Sequence, residues 1–185
     1  MTSKKTLMLK TAKQVRALRT PVRQGIVETF LRLGECTVGE LAAELGREPA
    51  TLYYHVHALE KAGIVLRSKK LGPGGGREAR YRPAATRIKI DRTVKSRAFL
   101  DALEDLQRAT MRTAEREVMH AGRKRGAKAG NWAPPMLYRT SARLSPGAKR
   151  EFEGMLRELV GFLAENDDPD LEETHALTIA FARTR

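Results

Sequence analysis

Between Thr37 and Gly63 the chain reads TVGELAAELGREPATLYYHVHALEKAG, and this run leaves little freedom about local structure. Thr37 with Glu40 three residues on has the spacing of a capping box, in which hydroxyl and carboxylate satisfy two backbone N–H groups at a helix start. A first helix is therefore expected over 38–45. Gly46 sits where a helix end favours a residue that turns left-handed without strain. Pro49 suits the first turn of a second helix, because the N–H it lacks would be unpaired there anyway. Leu52, Val56 and Leu59 recur at i, i+4 and i+7, and Leu41 and Leu45 form the facing stripe of the first helix. Thr51, Tyr53, Tyr54 and His57 are left off the buried stripe.

A helix with a polar, aromatic face docked across a short partner is the helix-turn-helix arrangement, whose second helix enters the major groove of DNA. The charge agrees. Formal net charge is +13 over 185 residues, a strong bias toward polyanionic partners. Residues 1–87 hold 17 Lys and Arg against 7 Asp and Glu, whereas the other 98 hold 18 against 15. The helix-turn-helix half thus carries most of the field. With 41% hydrophobic residues the chain can bury a core, and its length allows one medium domain or two small ones.

Cys36 is the single cysteine, which excludes an internal disulfide and a Cys-rich metal cluster and fits a reducing cytoplasm. No apolar run reaches the ~18 residues of a membrane span. The opening MTSKKTLMLK lacks the apolar core of a signal peptide, so a cytoplasmic protein without a membrane partner is expected.

Residues 1–10 read as a basic arm. Thr11 to Leu18 reads as a short helix held by Val15 and Leu18. Thr20-Pro21 opens another, with Ile26, Val27, Phe30, Leu31 and Leu33 expected to supply a buried face and Gly34 at its end. After Gly63 the period changes. IVLRSKK (64–70) and REARYRP (77–83) read as strands around a glycine-rich tip at 71–76, a β-hairpin wing flanked by Arg67, Lys69, Lys70, Arg77, Arg80 and Arg82. A phosphate-cradling loop lacks its strand–loop–helix context and its Lys-Ser/Thr here.

At this point a resemblance becomes specific. Pro21-x-Arg23, Val38-x-Glu40-Leu41-Ala42-x-x-Leu45, Thr51-Leu52-x-x-His55-Val56-x-x-Leu59, Lys61-Ala62-Gly63-Ile64-Val65 and Arg80-Tyr81-Arg82 together resemble the ArsR-type winged helix-turn-helix family of bacterial transcription regulators, over residues 11–83. The resemblance implies a homodimer on double-stranded operator DNA, with an effector that changes affinity. The family's metal sensors carry paired cysteines at the start of the motif's first helix, and this chain has Cys36 alone. His55 and His57, two residues apart, point ~200° from each other on a helix, whereas co-ligation wants i, i+4. His120 and His175 are isolated. No metal site and no cofactor are expected.

The second half, 88–185, reads as a helical dimerisation region with room for a small-molecule effector. One long helix is expected from about 90 to 121, with Val94, Phe99, Leu103, Leu106, Thr110, Ala114 and Val118 as a stripe. That stripe serves either as a dimer interface or as packing within one subunit. Residues 122–131 form a basic, glycine-rich loop. Met136 to Leu144 alternates like a strand, Ser145-Pro146 opens a helix to about Glu165, and Leu177, Ile179 and Phe181 alternate again. This predicts a strand–helix–strand unit with parallel neighbours or a strand exchanged between subunits. Trp132, Tyr138, Phe152 and Phe162 are the aromatics available to an effector pocket or to a core. The fold class expected is mainly α with small β elements: a winged helix-turn-helix domain over 1–87, then a long dimerisation helix and that unit.

The candidate base readers are Thr51, Tyr53 and Tyr54, with His57 and Arg47 nearer the phosphates. His55, closer to the apolar stripe, suits a structural, hydrogen-bonded role. Lys70 and Arg77 at the tip suit the minor groove or flanking phosphates, and Arg67, Lys69 and Arg80 suit the backbone. An enzyme is disfavoured, since no nucleophile–base–acid set and no complete cofactor fingerprint is present. A nonspecific RNA or nucleoid binder remains the rival, and a protein-interaction module is disfavoured by the basic wing.

Overall fold

The computed structural model describes residues 6–68, 79–123, 135–168, 171 and 175–182, and the chain is mainly helical with small sheets. Two compact units are present, Met1–Arg116 and Glu117–Arg185.

In the first unit the capping signals act where the sequence places them. Thr11 and Gln14 form a capping box opening α1 (Ala12–Ala17). The Thr20 hydroxyl accepts from Arg23 N to open α2 (Pro21–Leu33), with Pro21 in its first turn. A short strand β2 (Cys36–Thr37) leads into α3 (Val38–Glu44), where Glu40 Oε2 accepts from Thr37 N at 2.7 Å and Thr37 Oγ1 accepts from Glu40 N at 3.1 Å. Gly46, at φ 59°, ends the turn into α4 (Pro49–Lys61). That conformation costs most residues with a Cβ about 1–2 kcal/mol, with asparagine an exception.

Around α4 the first unit closes on itself. Leu52, Val56 and Leu59 are buried with Ile26, Phe30, Val38, Leu41 and Ile64 in one apolar cluster. Burying side chains of this size contributes about 1.5–3 kcal/mol each. β3 (Val65–Arg67) and β4 (Arg80–Pro83) pair antiparallel with Leu66 opposite Arg82, and β4 also pairs with β2, Cys36 opposite Tyr81. The wing therefore exists at its base and is stitched to the start of the helix-turn-helix. Its expected tip, with Lys69, Lys70, Arg77 and the glycines at 71–76, lies outside the described residues.

Two expectations for this unit are corrected. Residues 6–9 are no arm: β1 (Thr6–Leu9) pairs in parallel with β5 (Arg87–Ile90), Leu9 opposite Ile90, and Leu9 is fully buried. A four-residue strand whose partner lies some eighty residues away leaves no local signature. For the same reason the long helix starts late. α5 spans Arg97–Arg123, Ile88 and Ile90 belong to the strand, and Val94 lies in the connection, packed against the core. Asp91 accepts from Thr93 N and Oγ1 at 2.9 and 2.6 Å, a local turn that holds this connection out of the helix.

The α5 stripe is largely spent inside the protomer. Phe99, Ala102 and Leu106 belong to the main cluster and Leu103 packs against it, so Phe99 and Leu106 are corrected from interface to core. Of the other apolar side chains on α5, Leu100, Met111 and Met119 are exposed and Val118 is half-buried.

In the second unit α6 (Pro146–Glu165) opens on Ser145, whose hydroxyl accepts from Ala148 N at 3.2 Å. The strand–helix–strand expectation fails: residues 135–145 and 175–182 form no strand ladder. Alternation makes an extended segment amphipathic, but a strand also needs a neighbour for its backbone N–H and C=O groups. α6 buries none of its residues in this chain, and the Phe152 ring meets Phe181 at 4.9 Å between centroids.

Gly34 ends α2 at φ 78° and ψ −120°, with open space where a Cβ would stand. Any cost of Gly34→Ala is therefore backbone strain, about 1–3 kcal/mol. Gly46 at φ 59° lies where asparagine is tolerated, so Gly46→Asn should leave the urea midpoint near wild type while Gly34→Ala lowers it. Equal midpoints for Gly34→Ala and wild type would contradict the assignment.

Candidate nucleic-acid interface

Because one face of α4 is held in the core, the opposite face is presented to solvent. Tyr54 is 71% exposed and Tyr53 40%, and Thr51, His57 and Arg47 are exposed beside them. The structure brings these five sequence candidates onto one helix and the turn before it. The Thr51 hydroxyl donates to Glu48 O at 2.8 Å, which tidies the helix start and leaves the oxygen as an acceptor. His57 Nδ1 lies 3.0 Å from Glu60 Oε2, and its ring stands edge-on to Tyr81 at 6.4 Å. Burial pushes the Tyr81 phenol above its ordinary value of 10.0, with the Glu60 carboxylate adding to the effect, so that ring is a packed wall beneath the exposed aromatics.

The two histidines face different partners. His57 turns to Glu60, whereas His55 Nδ1 accepts from Arg23 Nε at 3.4 Å, the hydrogen-bonded structural role expected of it. Arg23 is the residue the site reading missed. Its Cζ lies over the Tyr54 ring, 5.9 Å from the centroid, within cation–π range. The contact joins positions thirty-one residues apart, and the one trace of it in the sequence was Pro21-x-Arg23 within the family pattern. Arg23 also lines, with Lys13, Arg16, Lys61, Ala17, Ala58 and Ala62, a shallow groove of about 360 Å³ beside α4.

The cations flanking the wing divide into two kinds. Arg67 and Arg82 are exposed on the strands. Arg80 is committed elsewhere: its side chain is 17% exposed, lies 3.6 Å from Glu35 Oε1 and 3.4 Å from Glu40 Oε2, and donates to Glu35 O at 2.8 Å. Meeting a phosphate would require breaking those pairs. Arg80 is a brace between β4 and the start of α3. Its guanidinium, after the Thr37 N–H, also helps hold the Glu40 carboxyl below its ordinary range. Lys69, Lys70 and Arg77 lie outside the described residues. Cys36 is buried, and burial with the Glu40 charge pushes its thiol up to about 11, so the sulfur is neither a thiolate nor accessible.

In the second unit Tyr138 is 85% exposed, and Phe152 and Phe162 are exposed, so these three line no enclosed cavity; Trp132 lies outside the described residues. No helix among the described residues is long and apolar enough to cross a membrane.

Burial lowers the His55 pKa from the ordinary 6.5, and the Arg23 and Arg47 charges lower it further. The unfolded chain therefore binds this proton at a higher pH than the folded one. His55 contributes its full stabilisation above pH 6.5 and loses it as pH falls below 6.5 toward the depressed folded value. The urea midpoint should drop as pH falls from 6.5 to about 5, and His55→Gln should flatten that slope. The shifted carboxylates of Glu40 and Asp91 titrate below their ordinary 4.5 and 3.8, clear of this window. An unchanged slope in His55→Gln would remove His55 from the linkage.

The family-model comparison agrees with this geometry. Residues 18–67 match the family model described as a helix-turn-helix domain. No curated protein matches the chain. Among solved structures, it is similar to a probable transcriptional regulator from Pseudomonas aeruginosa (18% identity, 76% of this chain and 77% of that one, TM-score 0.35). A possible transcriptional regulator from Methanosarcina mazei Go1 (20%, 56% and 78%, TM-score 0.32) and the transcriptional regulator Tm0710 from Thermotoga maritima (17%, 83% and 87%, TM-score 0.31) are similarly distant. The chain carries a helix-turn-helix domain, with α3 and α4 as its two helices.

Proposed function

We propose that this chain is a DNA-binding transcription regulator that acts as a homodimer on operator DNA and catalyses no reaction. The observation that carries the reading is the outward face of α4: Tyr54, at 71% exposure, stands opposite the fully buried Leu52 and Leu59. A tyrosine presented this way can offer its hydroxyl to a base edge and its ring to a thymine methyl in the major groove. Thr51 and Tyr53 flank it, and Arg47, His57, Arg67 and Arg82 stand at the margins where phosphates would run. Lys69, Lys70 and Arg77 are assigned to the phosphates or the minor groove from the sequence. Arg80 is left out of the set because it is paired. The homodimer rests on the family resemblance and on Leu100, Met111, Val118 and Met119, the α5 side chains that the protomer's own core does not take up.

The charge makes phosphate neutralisation the main source of affinity. With 6–10 phosphate contacts, affinity should fall by ~10³–10⁵ between 50 and 200 mM salt. A flat response in a fluorescence-anisotropy titration would contradict it. Selection from random duplexes should return a palindromic site protected by a species of twice the chain mass. On that site Tyr54→Ala should lose about tenfold of its preference over scrambled DNA, roughly one hydrogen bond's worth, while scrambled DNA binds as before. Equal losses on both duplexes would assign Tyr54 to folding or to the phosphates. A selection that returns no preferred sequence would favour the nonspecific nucleic-acid binder, for which the charge of +13 is sufficient.

A further inference from the structure

We propose that Arg23, which sits outside the helix-turn-helix pair, is a positioning residue for base recognition: it orients Tyr54 before DNA arrives and so sets how sharply one sequence is preferred. The inference rests on the DNA-reading role proposed above and adds to it a residue on a different helix. Tyr54 is exposed, and an exposed tyrosine in water keeps rotamer freedom that binding must remove. Arg23 restricts that freedom from the side of the ring. Its Cζ is 5.9 Å from the Tyr54 centroid, and the His55 ring abuts the same tyrosine edge-on at 5.4 Å and 70°.

The arginine is itself tethered. Nη1 donates to Ala17 O at 3.3 Å, Nε donates to His55 Nδ1 at 3.4 Å, and its backbone N donates to the Thr20 hydroxyl at 3.4 Å. The planar guanidinium thus joins the end of α1 to two adjacent side chains of α4, and the backbone bond fixes the first turn of α2 from which the side chain extends. Lysine, a point charge without the fork, cannot hold all three directions together. Pre-ordering a reading side chain lowers the ordering cost of the specific complex and does little for a complex that does not use it.

Arg23 also lines the basic groove with Lys13, Arg16 and Lys61, so the competing role is an ordinary phosphate contact. The two roles separate experimentally. In the full chain, Arg23→Lys keeps the charge and should lower the ratio of affinities for the selected site over scrambled duplex by about threefold to tenfold, the scale of one cation–π contact and its hydrogen bonds. Affinity for scrambled DNA should hold within about twofold, since phosphate attraction depends on charge. In a Tyr54→Ala background the same substitution should leave the ratio unchanged, because the contact it supports is gone. In the DNA-free protein, NMR should show the Tyr54 ring protons shifting and averaging toward solvent values in Arg23→Lys.

A wild-type ratio in Arg23→Lys, a loss that persists without Tyr54, or unmoved ring resonances would overturn the positioning role. Equal weakening on both duplexes would overturn it in favour of a phosphate contact. If wild type itself prefers no sequence, the regulator reading falls and this inference with it, an outcome distinct from a wild type that discriminates as well as its Arg23 variant.

Discussion

The burial of Leu52, Val56 and Leu59 is the contact on which the remaining architecture depends. α4 is touched by α1, α2, α3 and β3, and buried residues of all four share one apolar cluster with these three. A thirteen-residue helix is marginal alone in water, so this tertiary contact is what keeps it helical. With three apolar side chains fixed inward, the 3.6-residue period sends Tyr54 and His57 outward. Exposure of this face follows from burial of the other.

The parallel β1–β5 pair performs a different task. It brings the residues before α1 and after the wing side by side, so the helix-turn-helix segment is closed into a loop at its base. Leu9 goes into the core at that closure, and α5 follows directly with Phe99, Ala102 and Leu106. The compact unit consequently extends to Arg116, well past the wing. Ordering β1 costs the chain entropy of four residues, about 1–2 kcal/mol each in backbone terms, and burial of Leu9 with the ladder bonds offsets it.

Electrostatics in this unit is less a field than an allocation. Of the arginines near the site, Arg80 is bound to two glutamates and Arg23 to a tyrosine, a histidine and a carbonyl. A guanidinium with close partners at partial burial gives up those interactions before it can serve a phosphate, whereas Arg67 and Arg82 are exposed on the strand surface, Arg82 donating to Pro83 O at a long 3.5 Å. Counting charges along the chain therefore overstates the number of phosphate contacts and hides the braces. Arg80 in particular links the wing through Glu35 and Glu40 to the segment that opens α3.

By itself, the sequence determined the caps and the faces. Thr20-Pro21, the Thr37–Glu40 box, Gly46 with Pro49, and the spacing of Leu52, Val56 and Leu59 act within one or two helical turns, so composition and period suffice to read them. Only the tertiary structure decided who pairs with whom over distance. It gave Thr6–Leu9 a partner at Arg87–Ile90, turned Phe99 and Leu106 into the protomer's core, withheld strand partners from 136–144 and 175–182, and set Arg23 over Tyr54. The physical reason is that a helix satisfies its own backbone locally, whereas a strand, a core contact or an ion pair is completed by a residue whose place in space the local pattern does not encode.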